Sequence, residues 1–300
     1  MLTLWLITDN KPGHRSQLQG LAQALAARVA IDAHWIEAPA GRSALWHWLS
    51  GRFPAGADLP APDLILVAGH RTHLAGLAAR RARGGKLVAL MRPSLPLGWF
   101  DLCVIPQHDK PPARTNVLAT RGVLNTARPS AEREADTGLF LIGGPSKHHG
   151  WNTPGLLTQI DAILAATPGM RWTLTTSRRT PAETEAALLT LRERGVDVRP
   201  VADTPPGWAM AQVARSAQAW VTEDSVSMVY ESLTAGAATG LLAVPRLGET
   251  RITAGVAQLQ QEGFVTPFAG WQREGRLHTP PTPLREADRV ADAVLSRWPQ

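Results

Sequence analysis

Short apolar runs of strand length recur along this chain, each followed by a turn and then by a stretch with helical spacing. The first, Leu2–Thr8 (LTLWLIT), is almost wholly apolar until Asp9-Asn10-Lys11-Pro12-Gly13-His14 breaks it. Residues 16–29 then carry Leu18, Leu21 and Leu25 on one helical face. Further runs fall at 31–36, 63–68, 86–91, 102–105 and 117–118, with a helical stretch at 72–83. A strand that is apolar on both faces must be covered on both, and a helix after each strand supplies that cover. The pattern predicts a parallel sheet sandwiched between helices.

The rhythm pauses at the polar stretch 126–136 (TARPSAEREAD) and then restarts. Strand-like runs at 138–142, 171–175, 196–201, 219–222 and 240–244 alternate with helical stretches at 153–166, 181–194, 208–216 and 225–235. Pro181 opens one of these helices and Gly195 follows it, the usual asymmetry of helix ends. The expectation is an α/β chain of two units with parallel sheets. One covers residues 1–130 and the other 137–283, with a terminal helix at about 284–299 packing back on the first.

Composition removes several classes. A chain of 300 residues accommodates two domains of ordinary size. The single cysteine, Cys103, excludes an intramolecular disulfide framework and a cysteine-based zinc cluster. No apolar run reaches the roughly 18 residues of a spanning helix. Met1-Leu2-Thr3-Leu4-Trp5 has no basic leader or small-residue cleavage site, so a cytoplasmic location is expected. The net charge of +6 lies wholly within the first 136 residues, because the remainder holds 15 cations and 15 anions. A basic half suits an anionic partner, either a phosphorylated substrate or an acidic lipid surface at the inner face of a membrane. Nucleic acid is not expected, for there is no helix-turn-helix pattern, RNP-type strand or long basic run.

Ligands of open parallel sheets bind beyond the carboxyl ends of the strands, so the loops after the apolar runs are the candidate sites. The first loop supplies His14 and Asp9 as acid/base groups, with Lys11, Gly13 and Arg15 able to meet an anion or acceptor at a helix N-terminus. The loop after 63–68 adds Gly69, His70 and Arg71, able to touch a phosphate or sugar hydroxyl. In the second half, Gly143-Gly144-Pro145-Ser146-Lys147 is a glycine pair that can turn backbone N–H groups toward an anion, with Lys147 for charge. It lacks the ending of a Walker loop and is not G-x-G-x-x-G. The adjacent His148 and His149 diverge and no third ligand stands near them in sequence, so no metal is expected.

The turn Ser177-Arg178-Arg179 brings two guanidiniums suited to phosphate. The longest signal is Glu223-Asp224-Ser225-Val226-Ser227, which starts at a strand end and runs into a helix carrying Glu231 two turns on. Ser225 and Ser227 at a helix N-terminus can hold phosphate, and the Glu231 carboxylate can accept from both hydroxyls of a ribose. These strand ends together indicate a nucleotide-diphosphate site. Separately, residues 42–53 (RSALWHWLSGRF) set Trp46, Trp48 and Phe53 between Arg42 and Arg52, a composition that fits either a core helix or an interfacial membrane patch.

ITDNKPGHRSQ, GGPSKHH, TTSRRTP and TEDSVSMVYES together resemble the "elongated mitochondria" fission family of bacteria and plants, a glycosyltransferase-like group. That resemblance spans most of the chain and implies the GT-B arrangement, two Rossmann-like domains facing a cleft. It further implies a nucleotide sugar held by the C-terminal domain, an acceptor held by the N-terminal one, and no metal or other cofactor. Gly13-His14 resembles the Gly-His of the first loop in lipid-linked glycosyltransferases of the cell envelope, although their multi-glycine stretch is missing here. Glu231 resembles their ribose-binding acid. A metal-independent glycosyltransferase is therefore expected. The alternatives are a nucleotide-sugar epimerase on the same fold and a non-catalytic membrane-associated scaffold.

Overall fold

The computed structural model describes residues 1–248 and 251–299. The chain divides into two compact units, Met1–Thr126 with Arg285–Gln300, and Ala127–Leu284. The first begins with β1 (Leu2–Thr8), α1 (Pro12–Ala26), β2 (Ile31–Glu37), α2 (Gly41–Ser50), β3 (Leu64–Ala68) and α3 (His70–Arg83). It continues through β4 (Lys86–Leu90), β5 (Leu102–Pro106) and β6 (Val117–Thr120). These strands form one parallel sheet in the order β2-β1-β3-β4-β5-β6.

The continuous apolar runs divide by alternation between two cores. Leu2, Leu4 and Leu6 point to the α1 side, whereas Trp5 and Ile7 join the opposite core with Ala44 of α2 and Leu77 of α3. The same split separates Leu102 and Val104 from Cys103 and Ile105. Cys103 is thus a core residue, and burial pushes its thiol up to about 12.

The second unit holds β7 (Glu134–Leu141), α4 (Thr153–Ala166), β8 (Arg171–Thr175), α5 (Ala182–Leu189), β9 (Asp197–Arg199) and α6 (Trp208–Arg215). After these come β10 (Ser216–Thr222), α7 (Val226–Ala235), β11 (Ala238–Leu242), α8 (Arg251–Gln261), β12 (Thr266–Pro267) and α9 (Phe268–Glu274). Its parallel sheet runs β12-β11-β10-β7-β8-β9. The last helix, α10 (Glu286–Arg297), belongs to the first unit. Val290, Ala291 and Val294 share a core with Leu18, Leu21 and Leu25 of α1, and Arg28 meets Asp288 at 3.0 Å and Asp292 at 2.5 Å.

Both sheets have a switch point, where successive connections leave in opposite directions and open a crevice at the carboxyl ends of the strands. It falls between β1 and β3 in the first unit and between β7 and β10 in the second. All of the loops that attract attention in the sequence border one of these strands or its neighbour.

Element boundaries depart from the sequence expectation where end chemistry intervenes. α1 starts at Pro12 rather than 16, since proline at the first helical positions is already set for a helix, and this places His14 in the first turn. β7 reaches back to Glu134, inside the expected linker, because Glu134 and Asp136 are tied to Arg171 of the neighbouring strand. The stretch expected as one helix at 181–194 tightens into a 3-10 turn at Thr190–Arg194 and ends on Gly195 at φ 83°.

Gly138 of β7 lies under the Trp172 ring, which stacks on Phe140 with centroids 4.4 Å apart. A Cβ at 138 would collide with that ring. Gly138→Ala is expected to destabilise the protein by about 1–3 kcal/mol through overpacking. Urea denaturation checks this through the unfolding midpoint of the variant.

Candidate functional site

At the switch point of the second unit a pocket of about 290 Å³ is lined by Ser146, Lys147, His148, His149, Arg179, Asp224, Ser225, Val226 and Ser227. Three strand ends meet here: β7 delivers 146–149, β8 delivers Arg179, and β10 delivers Asp224 and the start of α7. Ser225 is the N-cap residue of α7, yet its side chain caps no helix N–H. The first N–H groups of any helix have no acceptor within it and carry partial positive charge. The hydroxyls of Ser225 and Ser227, those N–H groups and the exposed Lys147 are together chemically able to receive an anion.

The charged residues beneath this surface have a different task from the one the sequence suggests. The Asp224 side chain is wholly buried, and its Oδ2 accepts from Arg179 Nη2 at 2.7 Å and from Gly144 N–H at 3.0 Å. Gly143 N–H donates to Thr222 Oγ1 at 2.8 Å. The glycine pair thus turns its N–H groups inward, onto Thr222 and the Asp224 carboxylate rather than toward the pocket. The reason for glycine is steric: a Cβ on Gly143 would strike the Asp224 carboxylate, and one on Gly144 the Arg179 carbonyl. Arg179 also donates to Gly144 O at 2.6 Å, so most of its guanidinium braces the pocket wall.

Glu223 is likewise committed, to Arg246 Nη2 at 2.6 Å and Nε at 2.8 Å. Burial raises its carboxyl above the ordinary value, with Asp224 adding to the rise and Arg246 opposing it. Glu223 and Asp224 are holders of arginine rather than phosphate contacts, since two anions facing a third would repel it. Ser177 shapes its own turn, accepting from Arg179 N–H at 3.2 Å, and Arg178 stands exposed without lining the pocket. Ser146 Oγ accepts from the N–H groups of His148 and His149 at 3.2 and 3.1 Å. Burial depresses the basicity of His149, which Asp224 partly restores.

Thr180, Thr222 and Arg246 brace these loops too: the first two lie within the motifs TTSRRTP and TEDSVSMVYES without standing out there, and Arg246 lies outside every motif. Thr180 Oγ1 donates to Gly143 O at 2.6 Å. Arg246 also borders a cavity of about 520 Å³ with Gly248, Thr253, Ala254, Ala257, Gln258 and Gln261. Its position just after β11, a strand end like the others, is the one available signal. Glu231 projects from the second turn of α7, and desolvation pushes its carboxyl up to about 7.

The switch point of the first unit holds a second constellation. His14 Nδ1 lies 2.8 Å from Asp9 Oδ1, and the Asp9 side chain is completely buried. Burial alone would raise the Asp9 carboxyl. The hydrogen bonds from His14 and the Lys11 N–H, with the charges of both residues, outweigh it and hold Asp9 below its ordinary value. A carboxylate can only accept, so Nδ1 carries a proton, and in the neutral form of the ring Nε2 is the nitrogen with the lone pair. Of the two expected acid/base groups, His14 is the one that reaches solvent.

Gly69 of β3's loop, at φ 91°, is required by contact, because a Cβ there would enter the His14 ring. His70 and Arg71 sit exposed in the first turn of α3, and Lys11 lies 3.8 Å from Asp9. Gly13 has open space around it. Arg15 does not join this group: its guanidinium lies 4.2 Å over the Trp35 ring and lines a separate groove beside β2.

Two Rossmann-like units with these strand orders constitute the GT-B fold, and known structures agree. UDP-GlcNAc 2-epimerase from Neisseria meningitidis bound to UDP-GlcNAc is similar over 99% of each chain, with TM-score 0.59 and 11% identity. Acinetobacter baumannii MurG is similar over 99% of this chain and 100% of its own, with TM-score 0.55 and 11% identity. Residues 12–298 match the family described as mitochondrial fission ELM1, and the chain belongs to that family. The uncharacterized protein RP120 of Rickettsia prowazekii (strain Madrid E) is 27% identical over 121 residues, 36% of this chain and 32% of that relative.

Glu231 makes stability depend on pH. Its folded value of about 7 lies above its ordinary 4.5. Between the two, the unfolded chain releases the proton and the folded one keeps it, so stability falls as pH rises and levels off above about 7. Thermal melts across this range are expected to show a smaller decline for Glu231→Gln than for the wild type. Equal slopes would mean that this carboxyl is not desolvated.

Proposed function

We propose that this protein transfers a glycosyl group from a nucleoside diphosphate sugar to a hydroxyl of a lipid or cell-envelope acceptor, working peripherally at the inner face of a membrane. The observation that carries this reading is the first turn of α7, where the uncapped Ser225, Ser227 and the helix N–H groups face a pocket bordered by Lys147 and Arg179. A diphosphate accepts hydrogen bonds and carries negative charge, which this surface is built to meet. Glu231, two turns along the same helix and outside the pocket lining, is assigned the ribose hydroxyls in this reading. The sharing of the fold with an enzyme bound to UDP-GlcNAc supports this assignment of the donor.

In the transfer step, the bond between the sugar's anomeric carbon and the diphosphate oxygen breaks while the acceptor oxygen bonds to that carbon. The departing diphosphate gains charge, which the α7 N-terminus and Lys147 stabilise. The acceptor's proton passes to His14 Nε2, and the resulting imidazolium is stabilised by the Asp9 carboxylate on Nδ1. Asp9 is a positioning residue in this scheme and His14 the base.

UDP, GDP and ADP are the probes. One of them is expected to raise the melting temperature, and Ser225→Ala to weaken its binding by about ten-fold or more through loss of a hydrogen bond to a charged group. His14→Ala is expected to keep the thermal shift and lose about 10²–10⁴-fold in transfer. No shift with any diphosphate would contradict the donor assignment. Conversion of a nucleotide sugar to its epimer without acceptor would replace transfer by epimerisation.

A further inference from the structure

Helix α2 carries its apolar residues on the outside. Of its ten residues only Ala44 is buried. Leu45, Trp46 and Leu49 are 45%, 68% and 57% exposed, and their spacing sets them on one stripe of the helix. Beside them Trp48 stacks on Trp99 with ring centroids 5.8 Å apart, and Trp99 is itself 41% exposed. A surface helix normally turns such a stripe toward the core. A contiguous exposed apolar face is the mark of a surface that meets something else.

The chain segments that build this face, 38–57 and 64–100, carry charges of one sign. Between Glu37 and Asp58 the chain has Arg42 and Arg52 and no carboxylate. Between Asp63 and Asp101 it has Arg71, Arg80, Arg81, Arg83, Lys86 and Arg92, again with no carboxylate. α3, which packs against α2, contributes four of these. Arg80 is taken up by Asp101 at 2.9 Å, and Arg83 by the carbonyls of Gly56, Ala57 and Leu59. Arg42, Arg52 and Arg81 pair with no carboxylate among the described residues, and Arg81 reaches Gly51 at the end of α2.

We infer that α2 is an interfacial helix that seats the first unit on an anionic bilayer. Leu45, Trp46 and Leu49 enter the boundary between headgroups and acyl chains, with Trp99 beside them. Arg42, Arg52 and Arg81 meet lipid phosphates. Tryptophan beside leucine, rimmed by arginine, is the chemistry that an anionic interface selects. Among the described residues no helix is long and apolar enough to cross a membrane, so the attachment is peripheral. This inference concerns the first unit alone and stands independently of the donor site.

Co-sedimentation with phosphatidylcholine vesicles, with and without phosphatidylglycerol, tests it on the full chain. The wild type is expected to bind the vesicles containing phosphatidylglycerol, to leave pure phosphatidylcholine largely unbound, and to be released by high salt. The double variant Trp46→Ser, Leu49→Ser is expected to lose about ten-fold or more in partitioning, and Arg42→Glu, Arg52→Glu a similar factor. The serine variant should keep the wild-type melting temperature and its response to nucleoside diphosphates, which separates failure of docking from failure of the fold or the donor site. No wild-type binding, or undiminished binding by the serine variant, would overturn the inference. Conversion of a wild-type dimer to a monomer by the serine changes would overturn it too, assigning the face to a second copy of the chain.

Discussion

A carboxylate withdrawn from water must be compensated, and Asp224 is withdrawn completely. It finds its donors on two other strand ends, Gly144 after β7 and Arg179 after β8. That requirement ties three loops into one wall. It demands glycine at 143 and 144, since a side chain at either would displace the carboxylate or its arginine. It also determines what remains available: the N–H groups of the glycine pair are consumed, and the start of α7 with its uncapped Ser225 is left facing the pocket. Glu223 and Arg246 repeat the arrangement on the next strand end.

The first unit solves a related problem with another partner. Asp9 is as fully buried as Asp224, but it holds an imidazole instead of a guanidinium. An arginine held in this way is a fixed positive wall, because it does not release its proton. A histidine held in this way is a proton acceptor with a defined tautomer and direction. Both carboxylates sit where the direction of strand connection reverses, the place where a parallel sheet leaves a crevice. The two buried carboxylates thus hold side chains of different proton chemistry.

Much of the fold was legible because strand pattern and burial obey the same alternation. Leu2–Thr8, Arg171–Thr175 and Thr153–Ala166 have the limits that the sequence pattern predicts, the last with Asn152 capping its start. β12 and α9 were not legible, being short and dependent on packing for their form. The positions of the site loops could be read from strand ends, but the direction of their N–H groups could not. A glycine pair after a strand serves an anion or a buried carboxylate equally well, and only the location of Asp224 decides. Arg15 shows the same limit: its proximity to His14 in sequence says nothing of its stacking on Trp35.

The central claim is that the first turn of α7 and the loops around it grip a nucleoside diphosphate. Backbone hydrogen exchange with and without UDP reads this directly, since each amide reports its own protection. The account predicts slowed exchange at residues 225–228, extending to 146–149, while distant segments such as α10 are unchanged. Protection confined to other parts of the chain, with 225–228 exchanging as before, would contradict it.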